Sequence, residues 1–167
     1  MTELLLGCGH SREKRLSNSD KGWHELVTVD RFPECKPDIL HDLEFKPWPL
    51  ASGSFDEVHA YDVLEHLGRQ GDYKSFFDDF SEIYRLLKPD GLLFGITPAI
   101  ASAWVWGDPS HTRLISQESL TFLDQTAYEE QVANGMSDFR WYWKGNFKLL
   151  AARSEKDRFA FIMMAIK

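Results

Sequence analysis

The tripeptide Leu4-Leu5-Leu6 runs straight into Gly7-Cys8-Gly9. A short run that is apolar on both faces suits a central parallel strand covered on both sides. Glycines directly after it allow a tight turn that a ligand can approach closely. Parallel neighbours need crossover connections rather than hairpins. The expectation is therefore an open α/β sheet with a ligand at the carboxyl end of its first strand.

Further elements follow along the chain. Residues 26–29 form a second strand candidate ending at Asp30, and Pro33 and Pro37 then break the chain. Asp38-Ile39-Leu40 is a third, short strand, residues 47–54 a turn-rich loop, and residues 55–60 a fourth strand. Tyr73, Phe76, Phe77, Phe80, Ile83, Tyr84 and Leu87 step by three and four, which places them on one helical face. Pro89 stops that helix, Asp90-Gly91 turns the chain, and residues 92–96 make a fifth buried strand. Residues 11–20 read as a short polar helix. Residues 98–115 read as a long loop and residues 116–127 as a helix capped by Ser116.

Toward the carboxyl end Phe139, Trp141 and Trp143 alternate with polar or amphipathic residues, the period of a strand whose large side chains enter the core. Extended residues 147–152 and 159–166 flank the polar turn Ser154-Glu155-Lys156-Asp157 and form an antiparallel hairpin. The fold class that results is α/β: a Rossmann-like, doubly wound, mostly parallel seven-stranded sheet ending in an antiparallel hairpin. The loops after Leu6, Val29, Leu40, Ala60 and Ile96 are expected to share one cleft. All 167 residues fit one domain, with a ligand-binding half over about 1–98 and a substrate-side loop and hairpin over about 99–167.

Charge narrows the partners. The chain carries 19 Lys+Arg against 26 Asp+Glu, a formal charge of −7, which argues against bulk nucleic acid. Arg12, Lys14 and Arg15 form a small basic cluster, read as a solvated helix face. Two cysteines, Cys8 and Cys35, make neither a disulfide framework nor a zinc site and suit a reducing compartment. The amino terminus lacks a basic leader, and no apolar run approaches the ~20 residues that span a bilayer. A cytoplasmic protein without membrane association is expected.

Asp30 follows Gly9 at the end of the second strand, where an acidic side chain can accept both hydroxyls of a ribose. The competing reading is a structural turn with a solvated carboxylate. A dinucleotide site would place a third glycine where this chain has Arg12, so a nucleoside fits better than a pyrophosphate. That substitution, and the lack of room for a second domain, disfavour a nicotinamide-dependent oxidoreductase.

The blocks LLLGCG, TVD, PDILHDLEFKPWPLASGSFDEVHAYDVLEHL and RLLKPDGLLFGITP, in this order and spacing over residues 4–98, resemble the class I S-adenosylmethionine-dependent methyltransferases, and among them the methyltransferase-type-11 group. DPSHTRLIS at 108–116 is similar to a further block of part of that group. The resemblance implies S-adenosyl-L-methionine as cofactor and S-adenosyl-L-homocysteine as product. It implies that Gly7, Cys8 and Gly9 pass beneath the methionine part and that Asp30 binds the ribose hydroxyls, with Arg31 beside the adenine. Asp42 would bond the adenine amino group, the Leu43 amide a ring nitrogen, and the Tyr61 carbonyl the methionine ammonium. Ser11 stands where the family usually has a third glycine, and the family's first helix is usually longer.

Methyl transfer asks for alignment more than for side-chain chemistry, and a base is needed only when the acceptor must lose a proton. The candidates are His66 and His111. The competing readings are an ion-paired helix start for His66 and a loop-ordering contact with Asp108 or Arg113 for His111. His111 and Arg113 are expected over the methyl group, and Trp104 and Trp106 either stack on an acceptor or form an apolar lid. Asp62, Glu65 and His66 have the spacing through which some relatives bind a divalent cation; no metal is expected. Tyr61-Asp62-Val63-Leu64 lacks the motif of amino-directed DNA methyltransferases, and neither cysteine precedes a proline as cytosine carbon methylation would require. The reading is a methyltransferase for a small-molecule acceptor. The alternative is an inactive cofactor-binding module acting as a partner or regulatory subunit.

Overall fold

The computed structural model describes residues 1–17 and 22–167. One seven-stranded sheet runs through it in the order β3-β2-β1-β4-β5-β7-β6. The strands are β1 Thr2–Leu6, β2 Glu25–Asp30, β3 Ile39–Leu40, β4 Phe55–Tyr61, β5 Leu87–Pro98, β6 Phe147–Glu155 and β7 Arg158–Ala165. β1 pairs in parallel with β2 on one side and β4 on the other, while β7 runs antiparallel to both β5 and β6. The sheet and its terminal hairpin have the expected architecture. The chain leaves β1 toward β2 and β3, then returns to its other side at β4. This reversal opens a crevice above the carboxyl ends of β1 and β4.

Strand periodicity sorts the side chains onto two faces. Leu4, Leu6, Val58, Ala60 and Leu93 enter the larger apolar cluster, beneath helix α1 (Tyr73–Leu86). Asp72 caps α1 by accepting the Ser75 N–H, and Phe77, Phe80, Ile83 and Leu86 are its buried stripe. Trp48 and Trp143 are fully enclosed in the same cluster.

The opposite face carries Leu5, Tyr61, Phe94 and Ile96, with Leu16 and Trp23 packed over them. Residues 11–17 are irregular rather than helical, and residues 18–20 of the expected helix lie outside the described residues. The cause is polar. Lys14 plunges to the sheet, where its Nζ lies 2.7 Å from Glu3 and 3.1 Å from Glu57. Arg12 donates to the carbonyls of Gly9, Cys35 and Lys36, and Arg15 pairs with Asp62 at 2.6 Å. The basic cluster is thus bound within the chain and is not a solvated helix face. His59 and Tyr61 extend the buried network. His59 Nε2 lies 3.0 Å from Glu57, and its Nδ1 lies 2.6 Å from the Tyr61 hydroxyl. Burial pushes His59 down to about 3, so the ring is neutral and donates from Nε2 to the carboxylate.

Residues 139–144 are irregular chain around a turn at 140–142, not a strand. Tyr142 and Trp143 both donate their N–H to the Phe139 carbonyl, and the Trp143 indole donates to the Leu123 carbonyl at 3.1 Å. The aromatic alternation comes from draping over α1. Trp143 stacks on Phe77 and Phe139 tilts against it, whereas Trp141 faces solvent, so only part of the expected core trio is buried. The loop after β5 contains a single helical turn, α2 (Trp104–Gly107). The next expected helix is two: α3 (Gln117–Thr121), capped by Ser116, and α4 (Gln125–Gln131), capped by Asp124. Among the described residues no helix is long and apolar enough to cross a membrane.

Candidate functional site

The turn after β1 has a left-handed backbone at Gly7 (φ +58°) and at Gly9 (φ +52°). The two glycines answer to different constraints. A Cβ on Gly7 would sit 2.5 Å from Val63 Cγ2, so packing against the loop after β4 excludes any side chain. Gly9 has open space around it, and only its backbone conformation favours glycine. The Cys8 N–H donates to the Val29 carbonyl at 3.2 Å, which ties the turn to β2. Burial pushes the Cys8 thiol up, and both cysteines are free.

Asp30 closes the arrangement. One carboxylate oxygen accepts the Gly9 N–H at 2.8 Å and the other accepts the Phe32 N–H at 2.9 Å. The side chain is 6% exposed, yet it borders a cleft of about 420 Å³. Gly7, Gly9, Asp30, Arg31, Asp42 and Leu43 all line that cleft, with Val63, His66, Leu67 and Ser110 on its other side. An Arg31 guanidinium nitrogen lies 3.9 Å from Asp42 across the opening, and the guanidinium lies over the Phe32 ring. The Leu43 carbonyl accepts the Trp48 indole N–H at 3.0 Å, which anchors this loop to the core.

A second hollow of about 340 Å³ shares Gly7, Gly9 and Asp62 with the first and adds Cys8, Ser11, Arg15, Tyr61 and Arg158. The eight residues expected around a cofactor therefore border two adjoining hollows above one end of the sheet. The Tyr61 ring turns to the buried face, where burial pushes its hydroxyl up to about 12. Arg158 had no local sequence signal, since only the hairpin's return along β5 brings it here. Ser110 lies within the recognised DPSH block.

The 3-10 turn Leu64–His66 and the loop after β5 meet beside this cleft. His66 and His111 rings stand edge to face with centroids 4.8 Å apart. His66 Nδ1 lies 3.1 Å from the Ser110 carbonyl and His111 Nδ1 lies 2.8 Å from that of Trp104. Burial pushes His66 below the ordinary imidazole range. His111 Nε2 is 3.8 Å from Asp108, the loop-ordering contact that the sequence offered as its alternative role. Glu65 is 2% exposed, and burial pushes its carboxyl up to about 8.

Three expectations about this region change. Arg113 does not stand over the cleft: it is 3% exposed and 3.0 Å from Asp79 of α1, and it bonds the Ser75 hydroxyl. Its guanidinium neutralises a buried carboxylate, which Lys46 also approaches at 2.5 Å. Trp104 and Trp106 are largely exposed and border neither hollow. Asp62 is engaged by Arg15, and the cluster with metal-ligand spacing is Glu65, His66 and His111.

The family model described as a methyltransferase domain matches residues 4–95. No curated protein is matched at a significant level. Among solved structures, a SAM-dependent methyltransferase from Archaeoglobus fulgidus is similar at 16% identity and a TM-score of 0.59, over 98% of this chain and 85% of the other. The putative methyltransferase in complex with the Haloferax volcanii Trm112 methyltransferase activator is 13% identical with a TM-score of 0.64, over 99% and 83%. The N-methyltransferase NodS from Bradyrhizobium japonicum, in complex with S-adenosyl-L-homocysteine, is 14% identical with a TM-score of 0.59, over 99% and 78%. With its model matched over more than half of its length, the chain belongs to the methyltransferase-domain family, the class I enzymes that use S-adenosylmethionine.

Proposed function

We propose that this chain transfers a methyl group from S-adenosylmethionine to a small-molecule acceptor. The observation that carries the reading is the join between the glycine turn after β1 and Asp30 at the end of β2, on the rim of the cleft that Gly7, Gly9 and Asp30 line. In this reading Gly7, Cys8 and Gly9 run beneath the methionine, whose ammonium meets the Tyr61 carbonyl. Asp30 holds the ribose hydroxyls. Arg31, Asp42 and the Leu43 amide surround the adenine. Residues 1–98 hold the cofactor, and residues 99–167 of the same domain face the acceptor. His66 and His111 are the catalytic groups that take an acceptor's proton. A nucleic-acid acceptor is disfavoured by the charge of −7 and by the internal pairing of Arg12, Lys14 and Arg15. The two free cysteines suit the cytoplasm.

The deciding experiment pairs thermal unfolding with turnover of methyl-labelled cofactor against a metabolite panel. S-adenosylhomocysteine should raise the melting temperature by mass action and NAD should not. Labelled product should appear with at least one acceptor. Equal shifts from both ligands would sink the cofactor assignment. A shift without turnover against any acceptor favours a second reading, a cofactor-binding module that serves a partner subunit. The Haloferax neighbour's complex with an activator protein lends that reading its support.

A further inference from the structure

Apart from the cleft that Asp30 borders, the chain holds a separate cavity of about 190 Å³. Tyr73, Phe76 and Phe77 of α1 line it together with Leu114, Phe122 and Phe139, and no residue borders both this cavity and the cleft. Between the two runs a strap of paired loops. The Gln70 N–H donates to the Thr112 carbonyl at 2.8 Å, and the Leu114 N–H donates to Gln70 Oε1 at 2.9 Å. His66, Leu67 and Ser110 border the cleft from this strap, while Arg69, Gln70 and Arg113 border the cavity. Close-packed interiors leave few voids of such a size. Among the rings only Phe77 is buried; Tyr73, Phe76, Phe122 and Phe139 are half-buried. The Phe139 centroid lies 5.2 Å from that of Tyr73 and 5.7 Å from that of Phe122. Trp141, 63% exposed, stands edge-on to Tyr73 at 6.1 Å and carries the aromatic surface outward.

The polar groups of the lining differ in what they have left to offer. Arg113 is committed to Asp79 and to the Ser75 hydroxyl. The Ser119 hydroxyl is closed into the capping box with Ser116. Asp72 caps α1 with one oxygen and lies in the field of Arg113. Gln70 Oε1 is taken by the Leu114 N–H, which leaves the amide Nε2 as its remaining group. Among the described residues the Arg69 guanidinium, Gln70 Nε2 and the Tyr73 hydroxyl have no hydrogen-bond or ion-pair partner. All three donate, and Arg69 is exposed and carries an uncommitted positive charge.

We propose that this cavity binds a small aromatic carboxylate, with its ring among Tyr73, Phe76, Phe122 and Phe139 and its acid group on Arg69 and Gln70. An apolar cavity of about 150 Å³ already admits benzene, so the volume here suits one ring with a short acid and excludes a drug-sized ligand. The half-buried rings supply apolar area and edge-to-face contacts. A guanidinium presents paired donors that match the two oxygens of a carboxylate. Because the strap stands between cavity and cleft, this ligand is not the methyl acceptor, and the site does not rest on the methyl-transfer reading.

The test is a titration of the nitrogen-15-labelled chain with phenylacetate, followed by amide chemical shifts. Saturable shifts should appear at Gln70, Tyr73, Phe122 and Phe139 and not at Gly7, Gly9 or Asp30. Phenylacetamide keeps the ring and lacks the charge, and acetate keeps the charge and lacks the ring; each should bind at least about 10-fold more weakly, as loss of a charged hydrogen bond or of a buried ring implies. Arg69→Ala should weaken phenylacetate by roughly 10–100-fold and leave phenylacetamide unchanged. Leu114→Trp fills the cavity and should abolish binding of both; the exposed Arg69 keeps the test readable if that variant fails to fold. Saturating S-adenosylhomocysteine should not displace phenylacetate. Absence of saturable shifts, equal affinity for acid and amide, or competition with S-adenosylhomocysteine would overturn the site. Tighter binding of the dipeptide Ala-Phe than of phenylacetate would also overturn it, because the cavity would then read the end of a peptide.

Discussion

The backbone N–H of Gly9 donates to the carboxylate of Asp30 at 2.8 Å, across 21 positions of sequence. The bond spans the carboxyl ends of neighbouring strands β1 and β2. It sets the turn and the acid in fixed register before any ligand arrives, which reduces the ordering cost of binding. Because the Phe32 N–H occupies the other oxygen, the carboxylate cannot swing away from the cleft without breaking two bonds.

Asp30→Ala removes this anchor together with the expected bonds to ribose. A hydrogen bond to a charged group contributes about 1.5–3 kcal/mol, so affinity for S-adenosylhomocysteine should fall by roughly 10–100-fold. Calorimetry checks this, and an unchanged dissociation constant would count against the ribose role.

Gly7→Ala and Gly9→Ala separate packing from conformation. Both introduce a side chain at positive φ, at a cost of about 1–2 kcal/mol. Only Gly7→Ala also drives a methyl into Val63, and overpacking adds about 1–3 kcal/mol. Denaturant midpoints should rank wild type above Gly9→Ala and Gly9→Ala above Gly7→Ala. The opposite order would mean that Val63 yields freely.

Arg113→Ala should act on stability. It leaves the Asp79 carboxylate enclosed with Lys46 as its one remaining ion-pair partner among the described residues, and removing one partner of a buried pair typically costs about 3–5 kcal/mol. Chemical unfolding should show that loss. S-adenosylhomocysteine affinity measured on the folded fraction should stay near wild type; a large drop would return Arg113 to the cleft.

His111→Ala should lower turnover by roughly 10²–10⁴-fold while leaving cofactor affinity nearly unchanged. Turnover and calorimetry on the same preparation decide it. If both fall together, the ring orders the loop and takes no part in the chemistry.

His59 should make the fold sensitive to acid. Its pKa is about 3 when folded against an ordinary 6.5, so the unfolded chain binds the extra proton between those values. Stability attributable to this ring is complete above about pH 6.5 and is lost as pH falls toward 3, at roughly 1 kcal/mol per pH unit. Glu57, Tyr61, Lys14 and Glu3 surround it. His59→Gln should flatten the slope of unfolding free energy between pH 6.5 and 4.5. An unaltered slope would show that the carboxylates alone set it.

Periodicity made much of the architecture legible. The apolar run before Gly7, the three-and-four spacing along α1 and the two halves of the hairpin each correspond to an element, because a single face decides burial there. The glycine turn also put a cleft at the end of β1. What stayed hidden depended on partners distant in sequence. Lys14 leaves the expected helix because its counter-charges lie on β1 and β4, and Arg113 leaves the cleft because Asp79 waits on α1. The alternation at 139–144 misled because an aromatic segment draped over a helix can share the period of a strand. The nearness of His111 to Glu65 had no local signal either, since backbone bonds from Thr112 and Arg113 to the Glu65 carbonyl bring the two loops together.

The buried trio of Glu3, Lys14 and Glu57 has a further consequence for how such a chain can change over generations. Breaking a buried pair by removing one member strands a charge, while replacing the whole group with apolar residues of similar volume is often neutral or stabilising. Single substitutions at these positions are therefore steep losses, and the apolar alternative lies on the far side of them. Related chains should keep all three or have exchanged all three, and the mixed states between should be rare.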